Sequence, residues 1–413
     1  MRFPHISVTD VSEEIEELKL LSQTAGAEIE NIFFQNIDKI NPATFIGKGK
    51  TEEIIQHCKD NKIPLIIFND DISPTQLKNL QKLAEEEIKI IDRSGLIIHI
   101  FKQHAQTKEA KTQVELASLE YLLPRLTRQW THLERQMGGI GTRGGPGEAQ
   151  IEVDRRLINT QISRLKETLK KIENQRTTQN KRRKSEFKVA LAGYTNAGKS
   201  TLMSVLTGEK VYIKDQLFAT LDTTTRKCNL NNHLSVLISD SVGFIRKLPH
   251  NLIASFRSTL GVLKEADLIL KIIDGSSNSI DLHINTIDKT IHSLDILHTK
   301  SILVFNKIDL IQNSDDYKRL MGKYPNSIFI SAQQQLKIET LVDRIEKNII
   351  ENYVVSSLMI PYHFSSMVGV IYESVEVVNQ ENNEDGIILE VKGDRRVVES
   401  LKSKLESNNL KSQ

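Results

Sequence analysis

FKVALAGYTNAGKSTLMSVL, residues 187–206, decides how the rest of the chain is read. Its first seven residues form a short apolar run of strand length, and TLMSVL carries the apolar spacing of a helix. Between them GYTNAGKS, Gly193–Ser200, satisfies GxxxxGK[ST]. Strand, glycine-rich loop and helix in that order make a phosphate-binding loop. Glycines let successive N–H groups turn toward phosphate oxygens, and the positive end of the following helix adds to the attraction. Gly193, Tyr194, Thr195, Asn196, Ala197 and Gly198 then form the cradle. Lys199 reaches the β- and γ-phosphates and the Ser200 hydroxyl can ligate Mg²⁺.

Three later stretches narrow the ligand. DSVG, Asp240, Ser241, Val242 and Gly243, closes the apolar run LSVLISD. Its aspartate can hold Mg²⁺ through water and its glycine N–H can sense a γ-phosphate. NKID, Asn306, Lys307, Ile308 and Asp309, ends the run SILVFNK. The Asp309 carboxylate can accept from both N1–H and the exocyclic amine of guanine, an arrangement that adenine does not offer. Asn306 and Lys307 resemble the residues that brace the base and loop in GTP-binding proteins, and Ser331-Ala332 resembles the closing motif that contacts the guanine oxygen through its backbone. The expected ligand is therefore GTP or GDP with Mg²⁺. QLFATLDTTTR offers Thr220, Thr223, Thr224 and Thr225 as switch threonines for the metal, and spacing leaves the choice open. Phe244 stands after Gly243, where a glutamine orients water in small signalling GTPases. Slow intrinsic hydrolysis that depends on a partner is the expectation.

Upstream, PLIIFND (64–70), EIKIID (87–92) and IENIFFQNI read as strands, the last over 30–37. TEEIIQHCKDN and SPTQLKNLQKLAEE read as helices, the second capped by Ser73 with Pro74 at its first position. This is a small α/β domain over 1–106. Leu116, Leu119, Leu123, Leu126, Trp130, Leu133 and Met137 then recur at spacings of three and four, with Pro124 predicting a kink near 120–124. A second seam runs Ile151, Ile158, Ile162, Leu165, Leu169, Ile172, and GGIGTRGGPG (138–147) joins the two. Residues 107–173 therefore read as an antiparallel helical hairpin with a glycine-rich tip. ENQRTTQNKRRKSE opens an aperiodic basic linker, 174–186, with Lys181, Arg182, Arg183 and Lys184 as its charge run. A second α/β domain, 187–352, is expected as a mixed, mostly parallel sheet with helices on both faces. A small α+β domain, 353–413, follows, with a helix near Met367–Glu373, two β-rich stretches and a closing helix from Arg395.

The chain has 413 residues, room for two to four domains with full cores. Fifty-five Lys and Arg against 53 Asp and Glu leave a net charge of +2, so an RNA-binding surface has to be local. Cys58 and Cys228 lie far apart outside any metal-ligand cluster, which suits a reducing compartment. MRFPHISVTD lacks the form of a secretory signal, and no apolar stretch reaches membrane-spanning length. A cytoplasmic, soluble protein is expected. IGKGKTEE (46–53) lacks the full phosphate-loop spacing and reads as a glycine turn with solvated lysines.

Beyond the nucleotide motifs, DRSGLIIHIF (92–101), QVELASLEYLLPRL (113–126), GGIGTRGGPGE (138–148), DRR (154–156), FATLD, DSVGFIRKLPH (240–250) and IPYHFSSMVGVIYE resemble the HflX GTPases of the Obg–HflX superfamily. The resemblance spans about residues 30–375. It favours Thr220, within Phe218, Ala219, Thr220, Leu221 and Asp222, as the switch threonine, with Thr224 second. Thr223 stands where family members often carry proline, and Ala149 and Val153 where threonine is common. The resemblance implies a monomeric GTPase that binds the large ribosomal subunit and is stimulated by it. It further implies a role in splitting or rescuing stalled or stress-inactivated ribosomes, with the hairpin inserted near the peptidyl-transferase centre. Arg125, Arg128, Arg135 and Arg143 are then candidates for rRNA contact. Peripheral membrane association stays open, and a GTP-controlled switch that recruits a protein effector is the competing reading.

Overall fold

The computed structural model describes residues 8–85, 87–126, 147–181, 186–208, 217–218, 224–230, 234–247, 261–296 and 298–409. Helix α1, Val8–Thr24, opens the chain, and α2, Lys48–Asp60, starts after Gly47. Where a glycine turn with solvated lysines was expected, both lysines belong to the first turn of α2, Lys48 pairing with Glu52 and Lys50 with Glu53, and the Lys50 ammonium lies over the Phe33 ring. Strand β1, Leu65–Phe68, pairs in parallel with β2, Lys89–Asp92. Between them, α3, Pro74–Ala84, begins with a capping box in which Ser73 and Gln76 satisfy each other's backbone N–H groups.

The strand expected over 30–37 does not join this sheet, which has two strands, β1 and β2. The segment borders a cavity of about 470 Å³ that is also lined by Ile66 and Phe68 of β1. Phe33 and Phe34 face this space, so the apolar side chains line a cavity where a ladder would have paired their backbone.

Helix α4, Arg93–His104, is capped by the Asp92 carboxylate, which accepts from Gly95 N–H at 2.8 Å. Helix α5, Lys108–Leu122, ends ahead of Pro124, and a 3₁₀ turn at Leu123–Arg125 replaces the expected kink. Proline's missing donor is harmless in the first turn of such an element. Helix α6 runs Gly147–Lys181. Leu116 and Leu119 of α5 are buried with Ile162 of α6, flanked by Leu123, Ile158, Leu165 and Leu169, so the two seams meet. The linker expected from 174 is helical as far as Lys181. Glu, Gln, Lys and Arg are good helix formers, so the sequence can continue the helix without an apolar stripe. Trp130, Leu133, Met137, residues 138–146, Arg128, Arg135, Arg143 and 182–184 lie outside the described residues.

The following strands are β3, Phe187–Gly193; β4, Thr225–Asn229; β5, Ser235–Asp240; β6, Leu268–Asp274; β7, Lys300–Asn306; and β8, Ile328–Phe329. They form one sheet in the order β4-β5-β3-β6-β7-β8, parallel except for β4 against β5. Helices α7, Lys199–Thr207; α8, Ile280–Ser293; α9, Ser314–Lys323; and α10, Ile338–Ile350, belong to the same unit. The chain leaves β3 toward β5 on one side and returns to β6 on the other, so the carboxyl end of β3 is the crevice where ligands bind in such sheets.

The last unit is an antiparallel sheet, β10-β11-β9, made by β9, Tyr353–Pro361; β10, Glu376–Asn382; and β11, Gly386–Asp394. Helix α11, Ser366–Ser374, and α12, Arg395–Asn409, accompany it. Val398, Leu401 and Leu405 of α12 close over Leu358, Ile360, Leu389 and Val391. The Arg396 guanidinium ties this unit to the central sheet, meeting both Asp267 oxygens at 2.9 and 3.1 Å.

One buried cluster joins α4 and α5 to the central sheet, reaching from Ile97, Phe101 and Val114 through Phe218 to Leu191 and Ile272. Phe101 meets Phe218 edge-on, ring centroids 4.5 Å apart. Phe101 is 1% exposed. Replacing Phe101 with Ala should therefore destabilise the whole protein by about 3–5 kcal/mol, measured by chemical denaturation with probes in both the amino-terminal and central units.

Candidate nucleotide-binding and hydrolysis site

Gly193 ends β3 opposite Ile272 of β6. A Cβ there would lie 2.5 Å from the Ile272 carbonyl oxygen, so only glycine lets the loop leave the sheet this closely. Asn196 and Gly198 both take positive φ, +60° and +86°. The turn brings the chain back into α7, whose N-terminus carries no side-chain cap. Its first N–H groups are directed outward as an anion site.

Lys199 bends back over the loop. Its ammonium donates to the carbonyls of Gly193 at 3.1 Å and Tyr194 at 3.0 Å. A lysine has three donors, so one remains for a ligand oxygen. Burial pulls the Lys199 pKa below the usual lysine range, with the Asp240 carboxylate opposing. The Ser200 hydroxyl donates to Asp240 Oδ2 at 2.8 Å. Register explains the meeting, since Asp240 at the end of β5 lies opposite Leu191.

The DSVG turn is packed directly on the phosphate loop. Phe244 N–H donates to the Gly193 carbonyl at 3.0 Å, and Thr195 N–H donates to the Phe244 carbonyl at 2.9 Å. A Cβ on Gly243 would come within 2.9 Å of Thr195 Cα and 3.2 Å of Lys199 Nζ. Phe244 itself is buried.

NKID is laced to the phosphate loop by one side chain. Asn306 Nδ2 donates to the Ala197 carbonyl at 2.9 Å, and Asn306 Oδ1 accepts from Ala332 N–H at 2.9 Å. The Ala332 N–H, read as a guanine contact, is thus engaged by Asn306. Lys307 is left-handed and its ammonium pairs with Asp274 at 2.7 Å. Asp309 is exposed on the 3₁₀ turn Ile308–Leu310. Ser331 is buried, its hydroxyl accepting from Gln334 N–H.

Two residues of the expected site point their side chains elsewhere. The Phe218 ring packs on Phe101, and its carbonyl meets His104 Nδ1 at 2.9 Å. It fastens the backbone at Phe218 to α4. The Tyr194 ring is buried and stacks on His283, centroids 4.1 Å apart, while its hydroxyl donates to Glu17 Oε2 at 2.7 Å. Tyr194 reaches the ligand side of the loop through its backbone. Burial, with the charge of Arg246 adding to it, lowers the His283 pKa to about 4, so the stacked imidazole is neutral at pH 7. Ala219, Thr220, Leu221, Asp222 and Thr223 lie outside the described residues; Thr224 accepts through its carbonyl from Asp240 N–H at 3.0 Å.

Sequence reading missed Glu17, Arg93, Arg246 and His283 around this site, because they come from four separate parts of the chain. Arg125 was read as an RNA contact, yet it is internal. It stacks on Tyr121 and donates to Asp92 Oδ2 and the Ile72 carbonyl, both at 3.0 Å.

The donor set suits Mg²⁺ with a nucleotide. Ser200 and Asp240 bring hard oxygens to one point. The Thr195 hydroxyl is buried with no hydrogen-bond partner among the described residues, a donor and acceptor left for a ligand oxygen.

Phosphate loop, DSVG and NKID arriving in that order along the carboxyl edge of one mostly parallel sheet define a P-loop GTPase. Residues 12–102 match the family model for the amino-terminal region of GTP-binding GTPases, 104–183 the model for their middle region, and 188–307 that of a 50S ribosome-binding GTPase. The GTPase HflX of Caldanaerobacter subterraneus subsp. tengcongensis is 41% identical over 96% of this chain and 91% of its own. That of Escherichia coli is 37% identical over 91% of this chain and 88% of its own. The chain belongs to the HflX GTPase family, and its activity is the hydrolysis of GTP. A crystal structure of a GTP-binding protein from Sulfolobus solfataricus in complex with GDP aligns over 81% of this chain and 95% of that one, with 24% identity and a TM-score of 0.42.

Gly198→Ala should abolish nucleotide binding while the protein stays folded. The added carbon would stand 2.3 Å from Asn306 Nδ2, at a φ that disfavours a side chain. Equilibrium titration with a fluorescent guanine nucleotide, read beside thermal unfolding, checks this.

Proposed function

We propose that this chain binds the large ribosomal subunit, hydrolyses GTP to GDP and phosphate faster there than alone, and splits or rescues stalled or stress-inactivated ribosomes in the cytoplasm. Membership of the HflX family along nearly the whole chain, including the match of 188–307 to a 50S ribosome-binding GTPase model, is the observation that carries this reading. The paired helices α5 and α6 support it as an arm able to enter a narrow RNA cavity beside the peptidyl-transferase centre.

In this reading Lys199 turns its remaining N–H to the β- and γ-phosphates, beside the N–H groups of Thr195–Ser200. Charge that develops on the transferring phosphoryl group is met by these preorganised donors. Ser200 and Thr220 would hold Mg²⁺, with Asp240 acting through water, and Thr224 is the second choice for the switch. A bound Mg²⁺ would neutralise charge on the β- and γ-oxygens. Gly243 N–H senses the γ-phosphate. Asp309 accepts from guanine, with Asn306 and Lys307 stiffening its turn. Phe244 offers no hydrogen bond to the attacking water, so a partner has to order the site.

GTP turnover measured with and without purified large subunits tests the reading. Stimulation on the order of 10²-fold or more is expected, together with co-sedimentation in the presence of a nonhydrolysable GTP analogue. Equal turnover in both, or tight GTP-dependent capture of a protein effector without subunit binding, overturns it.

Asp309→Asn tests base recognition. Guanine nucleotide affinity should fall about 10²-fold or more as an amide donor meets the base's own donors, and xanthine nucleotides should bind in its place. Unchanged GTP affinity in a direct titration would contradict the assignment.

A further inference from the structure

One side chain of the phosphate loop has nothing to bond. Thr195 is 7% exposed, and its hydroxyl has no hydrogen-bond partner among the described residues. Threonines elsewhere in the chain satisfy themselves on the carbonyl four residues back, as Thr112, Thr207 and Thr286 do at 2.7 to 2.8 Å. In the loop that route is taken, since the carbonyls of Gly193 and Tyr194 both accept from the Lys199 ammonium. A buried hydroxyl left unpaired costs stability. Valine has the same shape and carries no such group, so packing alone gives no reason for threonine here.

The peptide between Tyr194 and Thr195 fixes where this side chain stands. Its carbonyl oxygen accepts from Lys199 Nζ at 3.0 Å, and its N–H donates to the Phe244 carbonyl at 2.9 Å. Thr195 therefore lies between the Lys199 ammonium and the DSVG turn. Its γ-methyl is the atom nearest the bare face of Gly243, and the hydroxyl branches from the same carbon. Rotation about the Cα–Cβ bond carries that hydroxyl between staggered positions without moving the backbone. The two neighbours that flank Thr195 are the donors assigned above to the γ-phosphate, Lys199 and Gly243 N–H. The phosphates nearer the ribose are met by loop N–H groups and the start of α7, which ask nothing of a side chain at this position.

We propose that the Thr195 hydroxyl is a γ-phosphate contact, donating to an oxygen of the third phosphate of GTP and finding no partner when GDP is bound. Thr195 is then a specificity-determining residue, an inference that rests on the GTPase reading of the site. A hydroxyl that donates to a phosphate oxygen makes a charge-assisted bond, stronger than one between neutral groups. A contact made with one ligand and not the other appears in the ratio of their affinities.

Affinities for GDP and for a nonhydrolysable GTP analogue, measured with Mg²⁺ on the full chain by calorimetry, test this. Thr195→Val keeps the shape and removes the hydroxyl. It should weaken the analogue about tenfold or more and leave GDP within about twofold, while thermal stability without nucleotide holds or rises. Thr195→Ser keeps the hydroxyl and should keep the parent ratio. If the valine variant does not fold, Thr195→Ala set against Thr195→Ser gives the same comparison, with the loss confined to alanine. An unchanged ratio in the folded valine variant overturns the proposal. So does an equal loss of both affinities with lower nucleotide-free stability, which would assign the hydroxyl to the fold. Lys199→Ala is the control for the site and should weaken both nucleotides. If it leaves both intact, the GTPase reading of these residues fails first, and the inference falls with it.

Discussion

The side chain of Asn306 carries two hydrogen bonds that run in opposite directions, out to the Ala197 carbonyl and in from Ala332 N–H, while its own carbonyl accepts from Gly275 at 2.7 Å. Three loops from the ends of three strands meet at this one buried residue. An amide suits the task because it is donor and acceptor at once and carries no charge to desolvate. The close approach it demands explains the glycine at 198, and that glycine's left-handed turn aims the start of α7 at the ligand. Much of the site geometry thus follows from satisfying one buried polar group.

A second constraint acts between units. The apolar cluster that begins in α4 and α5 continues without a break into the central sheet, and Phe218 is one of the links. Buried polar contacts run in parallel with it, Arg93 reaching Glu17 and Asn69 while donating to the Arg246 carbonyl at 3.4 Å. The carboxy-terminal unit is attached differently, through the paired charges of Arg396 and Asp267 near the start of β6. Dense packing resists small displacements, so the amino-terminal elements and the central sheet constrain one another.

The chemistry was legible because it is local. Eight consecutive residues specify the phosphate loop, and β3 occupies the expected Phe187–Gly193. Seams at spacings of three and four found each other across α5 and α6. Elsewhere the local signal was weak or misleading. TRKCN is short and polar, and becomes β4 by pairing with β5. YVVSSLMIP becomes β9 because β11 lies beside it over nine residues. IENIFFQNI has the composition of a strand and stays outside the sheet. The acidic residues of α1 look like an ordinary solvated face, and only the tertiary fold brings Glu17 under Tyr194 and Arg246. Charge partners distant in sequence leave no periodicity to read.

Helix α6, 35 residues from Gly147 to Lys181, is about 52 Å long at 1.5 Å per residue. Its carboxyl end is six residues from Phe187, the first residue of the strand that carries the phosphate loop. The geometry is that of a long lever whose base lies a few residues before the strand that ends in the phosphate loop. A tilt of about 5° at the base of a rod of that length carries the far end about 4–5 Å, more than the width of a hydrogen bond. Sub-ångström adjustments near the strand can in this way become displacements large enough to make or break contacts at the other end.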